Sequence, residues 1–126
     1  MNVPTDRRYL KSHEWHLLRG DECTIGITQF AADELTDVTY VDLPAIGKKL
    51  TAGKPFGVVE SVKATSDLYS GVDGEVIALN TELNDHPEYV NESPFEKGWM
   101  IRVRVSNPSQ LDALLTPAAY TGTITH

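Results

Sequence analysis

The fold is decided by Phe56-Gly57-Val58-Val59-Glu60-Ser61-Val62-Lys63-Ala64-Thr65-Ser66-Asp67. The first half of this stretch is apolar and β-branched, which is typical of a half-buried strand, and the second half is small and polar. This change places Lys63 near a strand end or a turn, where its side chain is exposed and reachable. No glycine or proline marks a tight turn at the lysine itself, so the pattern predicts the strand but does not define the hairpin tip. An ordinary solvated lysine is the alternative interpretation.

A turn and another strand follow the lysine. Ser70-Gly71-Val72-Asp73-Gly74 contains an Asp-Gly turn, and Val76-Ile77-Ala78-Leu79 reads as a strand. The pattern therefore predicts that Lys63 is flanked by reversing strands. Short strands separated by glycine and proline along the chain indicate two facing sheets and a mainly β fold.

Alternation defines two further strands. In Trp99-Met100-Ile101-Arg102-Val103-Arg104-Val105 the odd-numbered residues share an apolar face, and Met100, Arg102 and Arg104 share the opposite one. In Cys23-Thr24-Ile25-Gly26-Ile27 the single cysteine lies on the face of the two isoleucines. This pattern favours a buried structural thiol over a nucleophile, and one cysteine allows no redox pair within the chain.

Three short helices are predicted. Thr28 caps a helix through residues 29–35, and Asn107 or Ser109 caps one through residues 110–115. Pro87 is placed at the first position of a third helix that continues through residues 88–90. These helices are expected to cover the ends of the sheets.

Length and charge limit the classes of function. The chain has 126 residues, 40% of them hydrophobic, which predicts one domain over residues 1–126 with a modest core. The net charge of −7 argues against nucleic acid and suits brief docking on enzymes with basic entrances, although simple solubility explains it nearly as well. No segment is apolar for long enough to span a membrane. The start of the chain resembles neither a signal peptide nor a presequence, so we expect a bacterial cytoplasmic protein, or a mitochondrial matrix protein if a presequence was removed.

The sequence offers no assembled catalytic or metal-binding set. His13 and His16 are three residues apart on a predicted extended strand, which directs them to opposite faces, and two ligands fall short of a metal site. Trp15 is interpreted as a core or rim residue. No base and nucleophile are paired in the sequence, so we expect a protein that is not an enzyme.

The motif around Lys63 resembles the lipoyl-lysine signature of the H protein family of the glycine cleavage system. The likeness runs in register over roughly residues 8–120. It rests on these segments: Ser12-His13-Glu14-Trp15, Ile25-Gly26-Ile27-Thr28, Tyr40-Val41-Asp42-Leu43-Pro44, Glu60-Ser61-Val62-Lys63-Ala64-Thr65-Ser66-Asp67-Leu68, residues 83–91, and Pro94-Phe95-Glu96-Lys97-Gly98-Trp99-Met100-Ile101.

The resemblance implies a fold and a role. The fold is the barrel-sandwich hybrid, or hammerhead, of lipoyl domains, with short flanking helices. The role is that of a non-catalytic, monomeric carrier on which a lipoyl ligase or transferase attaches one lipoic acid to Lys63. The carrier takes the aminomethyl group of glycine from the P protein, a pyridoxal-phosphate decarboxylase, to the T protein, an aminomethyltransferase. It then passes electrons to the L protein, dihydrolipoamide dehydrogenase.

The resemblance also implies residues that stabilise the loaded arm. Glu14 matches the family's carboxylate for the cationic amine, and Ser12 and Asp67 match positions beside it. Surface solvation is the alternative interpretation for Glu14 and Asp67. The chain departs from the family at Thr36, where glycine is common, and at Gly71, where proline is common. The first departure is expected to disturb a helix end and the second to loosen a turn.

Three other classes of protein remain as alternatives. A lipoyl or biotinyl domain of another complex would also present a lysine, but it usually lacks the flanking motifs, and biotinyl domains usually carry methionines where this chain has Val62 and Ala64. An H-like protein that supplies lipoyl groups to other complexes is the second alternative. A free-standing enzyme is the third.

Overall fold

Short β-branched runs form the framework of the protein. A computed structural model describes residues 2–124 of the chain. Within these residues nine strands occur: β1 (Arg8–Tyr9), β2 (Glu14–Arg19), β3 (Glu22–Ile27), β4 (Val38–Asp42), β5 (Lys49–Leu50), β6 (Pro55–Ser61), β7 (Thr65–Tyr69), β8 (Gly74–Leu79) and β9 (Ile101–Val105).

The strands form two antiparallel sheets. Among the described residues the larger sheet has the order β1-β2-β3-β9-β8-β5, and the smaller has the order β4-β6-β7. The main core lies between the sheets, since it combines Ile25, Val76 and Val103 of the larger sheet with Val59 and Leu68 of the smaller. The predicted mainly β fold with two facing sheets is confirmed.

Short helical segments connect the strands and cover their ends. They are α1 (Gln29–Leu35), a first 3₁₀ helix (Thr81–Asn84), α2 (Tyr89–Glu92), a second 3₁₀ helix (Pro108–Ala113) and α3 (Pro117–Ile124). The predicted helix over residues 29–35 is confirmed, with the Thr28 side chain accepting a hydrogen bond from the Ala31 amide at 3.3 Å. Asn107 caps the second 3₁₀ helix, which begins and ends earlier than predicted. Pro87 lies two residues before α2 rather than at its first position.

The strand that follows the lysine is not the one predicted. β6 pairs with β7, which lies directly after the lysine, whereas β8 pairs with β5 and β9 in the other sheet. The Asp73-Gly74 step is therefore a crossing between sheets and not a hairpin. The Asp73 carboxylate holds this crossing by accepting the Ala52 amide at 2.7 Å, and a side chain at position 74 would collide with the Arg104 carbonyl oxygen.

The alternation in β9 is confirmed from Ile101 onward. Ile101, Val103 and Val105 are buried, while Arg102 and Arg104 are exposed. The two residues before the strand reverse the predicted faces: Met100 is fully buried in the main core, and Trp99 is half-buried with the Arg102 guanidinium 4.6 Å from its ring centre. The strand begins only at Ile101, so its two-residue period does not extend to these positions.

Cys23 and Trp15 are both core residues, as predicted. Cys23 is fully buried, and burial raises the pKa of its thiol to about 12, so the thiolate needed for nucleophilic chemistry is disfavoured. The Trp15 ring is buried against Gly26, and its indole N–H donates to the carbonyl oxygens of Ile27 and Pro94, both at 3.0 Å. Trp15 therefore connects β3 to the loop before β9.

Gly71 is held more tightly than the sequence predicts. It is buried, and its N–H donates to Nε2 of the fully buried His16 at 3.0 Å. Burial lowers the pKa of His16 to about 4, so the ring is neutral and its Nε2 can accept this bond. This bond opposes the expected loosening of the turn, because glycine supplies a donor that proline lacks.

Thr36 ends α1 in a conformation that glycine adopts more easily. Its φ and ψ angles are 60° and −144°, a region that is nearly specific to glycine. Helix α1 nevertheless ends cleanly at Leu35, and the Thr36 amide donates to the Asp33 carbonyl oxygen at 3.2 Å. The departure from glycine is thus accommodated by backbone strain rather than by a shifted helix end.

We expect Thr36→Gly to raise the free energy of unfolding by about 1 kcal/mol, because it removes this strain. Urea denaturation measures the change. Thr39→Gly is the matched control, since the Thr39 hydroxyl also donates to a carbonyl oxygen but its residue lies in β4, where glycine is unfavourable. A Thr36→Gly protein no more stable than the unsubstituted one contradicts the strain.

Candidate functional site

The β6–β7 turn presents Lys63, and a serine rather than a glycine shapes it. The Ser61 amide donates to the Ala64 carbonyl oxygen at 2.8 Å, which closes the turn. The Ser61 hydroxyl oxygen also accepts the amides of Lys63 at 3.2 Å and Ala64 at 3.0 Å. Serine side chains stabilise turns in this way, so Ser61 was the sequence signal for the hairpin tip.

The Lys63 side chain is exposed and makes no ion pair within residues 2–124. Its Nζ donates to the carbonyl oxygen of Glu34, near the end of α1, at 3.2 Å. The Val62 amide donates to the Asp37 carbonyl oxygen at 3.0 Å, which fixes the turn to the loop after α1. The lysine is therefore exposed along its side chain and anchored at its backbone.

A cavity of about 460 Å³ lies between α1 and the two sheets. Its apolar walls come from Ile27, Phe30, Leu35, Val59 and Leu68. Its polar lining residues are Ser12, His13, Glu14, Glu34, Ser66 and Asp67. The β6–β7 hairpin that carries Lys63 therefore borders a cavity that suits an aliphatic group with a polar end.

Glu14 is the buried acid of this cavity. Its side chain is on β2, and the residue is only 1% exposed. The Ser12 hydroxyl contacts Glu14 Oε1 at 2.5 Å, and the Tyr69 amide donates to Oε2 at 2.9 Å. Burial raises the pKa of Glu14 to about 7, against the opposing effect of these two hydrogen bonds. Glu14 is thus a desolvated carboxyl group poised to exchange a proton near neutral pH.

The structure brings together Ser12, Glu14 and Asp67, which the resemblance singled out. Glu14 is not a solvated surface residue, whereas Asp67 is exposed at the rim, with no side-chain hydrogen bond in the described part of the chain. Asp67 is on β7 and Glu14 on β2, so the two sheets contribute one carboxyl group each.

His13 lies at the same cavity, and the sequence did not predict this. It precedes β2 and has a φ angle of 84°, so the two-residue period of a strand does not describe its direction. Its Nδ1 is 2.8 Å from the Tyr120 hydroxyl, whereas His16 lies in the buried contact with Gly71. Among residues 2–124 no group of three or more His, Cys, Asp or Glu side chains is arranged to hold a metal ion. In the same range no helix is both long and apolar enough to cross a membrane.

An exposed lysine on a hairpin turn, beside a cavity lined by a buried carboxyl group, is the arrangement that the resemblance predicted for the class of lipoyl-carrier domains. The sequence profile described as "Glycine cleavage H-protein" matches residues 7–126. The chain belongs to the glycine cleavage system H protein family, whose members are the lipoyl carriers of that system.

Individual relatives agree with this assignment. The chain is 52% identical over 120 residues to the glycine cleavage system H protein of Geobacillus sp. (strain WCH70), covering 95% of this chain and 94% of that protein. It is 56% identical over 119 residues to the probable glycine cleavage system H protein of Haloarcula marismortui, covering 94% of each.

A solved structure shows the same fold. The crystal structure of a glycine cleavage system H protein from Mycobacterium marinum has a TM-score of 0.87 and 34% sequence identity. The likeness covers 95% of this chain and 97% of that one. The two-sheet architecture described above is therefore the family's fold.

Glu14→Gln is expected to change the pH dependence of stability. The folded pKa of about 7 lies above the ordinary value of 4.5, so the native state keeps a proton that the unfolded chain releases. The stability that this gives is full below pH 4.5 and is lost as pH rises through 7. The variant should match the unsubstituted protein at about pH 4 and exceed its free energy of unfolding by about 3 kcal/mol at about pH 8.

Urea denaturation across this pH range measures the difference. Glu75→Gln is the control, because the Lys49 ammonium lowers the pKa of the exposed Glu75 and its loss should be slightly destabilising above the acid range. Equal pH profiles for Glu14→Gln and the unsubstituted protein would contradict a raised pKa at Glu14.

Proposed function

We propose that this chain carries lipoic acid in amide linkage to Lys63 Nζ and serves the glycine cleavage system as a shuttle. The observation that carries the proposal is the placement of an exposed lysine turn beside a cavity with a buried carboxyl group. When attached, lipoic acid supplies a disulfide that accepts the aminomethyl group and electrons. The protein itself presents the arm and shelters its end.

The residues at the turn suit the attachment. Within residues 2–124 the Lys63 side chain makes a single hydrogen bond, to the Glu34 carbonyl oxygen, so little structure must be broken before acylation. Acylation removes the positive charge, and the resulting amide group has a single N–H. The anchored backbone of the turn keeps the modified side chain next to the cavity, which limits the volume that the arm must search.

The cavity suits the loaded arm. Phe30, Leu35 and Leu68 offer apolar surface to an aliphatic chain, and Glu14 offers a carboxylate to a cationic amine. A charge-assisted hydrogen bond is strengthened where water is excluded, and Glu14 is almost completely buried. Ser12 orients one Glu14 oxygen, and Asp67 adds a second negative charge at the rim.

The proposed partners are three enzymes and a modifying enzyme. The P protein loads the arm, the T protein unloads it, and the L protein, dihydrolipoamide dehydrogenase, reoxidises it. A lipoyl ligase or transferase installs it. A net charge of −7 favours brief polar docking on basic entrances, and we propose a monomeric, non-catalytic carrier in the cytoplasm that meets each partner in turn.

Exposure to a lipoyl ligase is expected to add one lipoyl group at Lys63, because this lysine is exposed on a defined turn. Intact mass and a peptide map measure the addition. Lys63→Arg keeps the charge and should gain nothing. Lys54→Arg is the matched control, since Lys54 is also exposed but lies before β6, and it should be modified normally. No addition to the folded protein would remove the proposed attachment.

Glu14→Gln is expected to shorten the lifetime of the aminomethyl-loaded carrier by about tenfold or more, because it removes the negative partner of the amine. The measurement follows ammonia release from the loaded protein after the P protein has been removed. Lipoylation of Lys63 should be unaffected, since the turn is unchanged. An unchanged lifetime contradicts the role of Glu14, and failure of the P protein to load any variant would instead favour delivery of lipoyl groups to other complexes.

A further inference from the structure

His13 is fixed at the cavity wall by contacts from several elements. Its backbone N–H donates to the Leu10 carbonyl oxygen, and its carbonyl oxygen accepts the Thr28 amide, both at 3.0 Å. The ring lies 5.0 Å from the Phe30 ring and 5.7 Å from the Tyr120 ring. These contacts maintain the positive φ angle of 84° and keep the imidazole among the lining residues. An unusual backbone conformation thus places one particular ring at the cavity.

A buried chain of hydroxyl groups reaches this ring. The Tyr120 hydroxyl is 2.6 Å from Thr28 Oγ1 and 2.8 Å from His13 Nδ1. Tyr120 comes from α3 and Thr28 caps α1, and both are almost fully buried. Each hydroxyl group has one proton to donate. Which group donates to which is therefore determined by the proton that would otherwise lack an acceptor.

Thr28 settles the direction. Its oxygen already accepts the Ala31 amide, and its hydroxyl hydrogen has only the Tyr120 oxygen as an acceptor among the described residues. If Tyr120 donated to Thr28, the Thr28 hydroxyl hydrogen would be buried without an acceptor, which is unfavourable. Thr28 therefore donates to Tyr120, and Tyr120 donates to His13 Nδ1.

The direction of the chain fixes the state of the imidazole. Burial lowers the pKa of His13, against the opposing charge of Glu34, so the ring is neutral at neutral pH. A neutral ring whose Nδ1 accepts a hydrogen bond carries its proton on Nε2. Nε2 has no hydrogen-bond partner within residues 2–124, and the charged groups that share its cavity are Glu14, Glu34 and Asp67.

We propose that His13 Nε2–H is a hydrogen-bond donor to the acylated Lys63 arm inside the cavity, held in that tautomer by Tyr120 and Thr28. The proposal rests on the proposed function, since it requires an arm in the cavity. The arm has two kinds of acceptor atom, the amide carbonyl oxygen and sulfur. His13 and Glu14 are neighbours in the sequence and both line the cavity, so one segment of the wall offers the arm a donor as well as an acceptor.

The tautomer is tested first, on the unmodified protein. Nitrogen-15 labelling of the four histidines resolves protonated from unprotonated ring nitrogens by NMR, and His13→Gln identifies the His13 signals by their loss. We expect His13 Nε2 in the protonated range and Nδ1 in the unprotonated range. The reverse assignment overturns the proposal, and this result does not depend on whether the chain is ever lipoylated.

Two tyrosine variants test the origin of the tautomer. Tyr120→Phe retains the ring that stacks on Tyr9 at 4.7 Å but removes the hydroxyl group, so the His13 nitrogens should shift toward a mixture of tautomers. Tyr40→Phe is the matched control, because Tyr40 is exposed and its hydroxyl group takes no part in the hydrogen bonds that join Thr28, Tyr120 and His13, and it should leave both signals unchanged. A His13 spectrum that Tyr120→Phe leaves unchanged overturns the role of Tyr120.

The modified protein tests the donor. The Nε2 signal should move, and its proton should exchange more slowly with solvent, when Lys63 is acylated. Octanoyl and reduced lipoyl groups are compared, with intact mass confirming each modification. A shift with both groups assigns the amide carbonyl oxygen as the acceptor, and a shift with the lipoyl group alone assigns sulfur. Unchanged Nε2 signals in both acylated proteins overturn the proposal, while absence of lipoylation itself contradicts the proposed function instead.

Discussion

The carboxyl group of Glu14 is the point on which the site depends, because it joins the two sheets. The acid is on β2 of the larger sheet, and its Oε2 accepts the Tyr69 amide of β7 in the smaller one. A buried carboxyl group is tolerated only where hydrogen bonds compensate for lost solvation, and Ser12 and Tyr69 supply them. These two hydrogen bonds also fix the orientation of the Glu14 carboxyl group. The contacts that stabilise the fold are therefore the ones that position the group for its proposed role.

The C-terminal helix extends this arrangement to the other side of the cavity. Tyr120 stacks on Tyr9, and its hydroxyl group contacts both the residue that caps α1 and the imidazole of His13. Helix α3 therefore does more than cover the sheet, since it supports two walls of the cavity at once. Glu14 and His13 are each held by a hydrogen bond to a distant element, to Tyr69 of β7 and to Tyr120 of α3, and such support helps a small site to retain its geometry.

Alternation and capping residues predicted much of the fold, since they act locally: β9 and the Thr28 cap need only their neighbours in sequence. Contacts between distant segments were not predictable in this way. Burial of Met100 and the bond from Gly71 to His16 arise where separate parts of the chain meet. Two local signals were also missed. Ser61 stabilises the lysine turn, and the Thr116 side chain accepts the Ala119 amide at the start of α3. The resemblance to the family identified Lys63, Ser12, Glu14 and Asp67 as candidate site residues. The position of His13 at the cavity was not predictable, because it depends on an unusual backbone conformation.

The order of strands in the larger sheet has a consequence for synthesis. Ile25 of β3 pairs with Ile101 of β9, and Tyr120 must arrive before its contacts with Thr28 and His13 can form. The β6–β7 hairpin, by contrast, consists of residues close together in the chain, and local contacts form early because little loop entropy is lost. On the ribosome, the lysine turn can therefore fold while the walls of the cavity are still incomplete. The exposed Lys63 turn forms from local contacts, whereas the cavity beside it requires the finished chain.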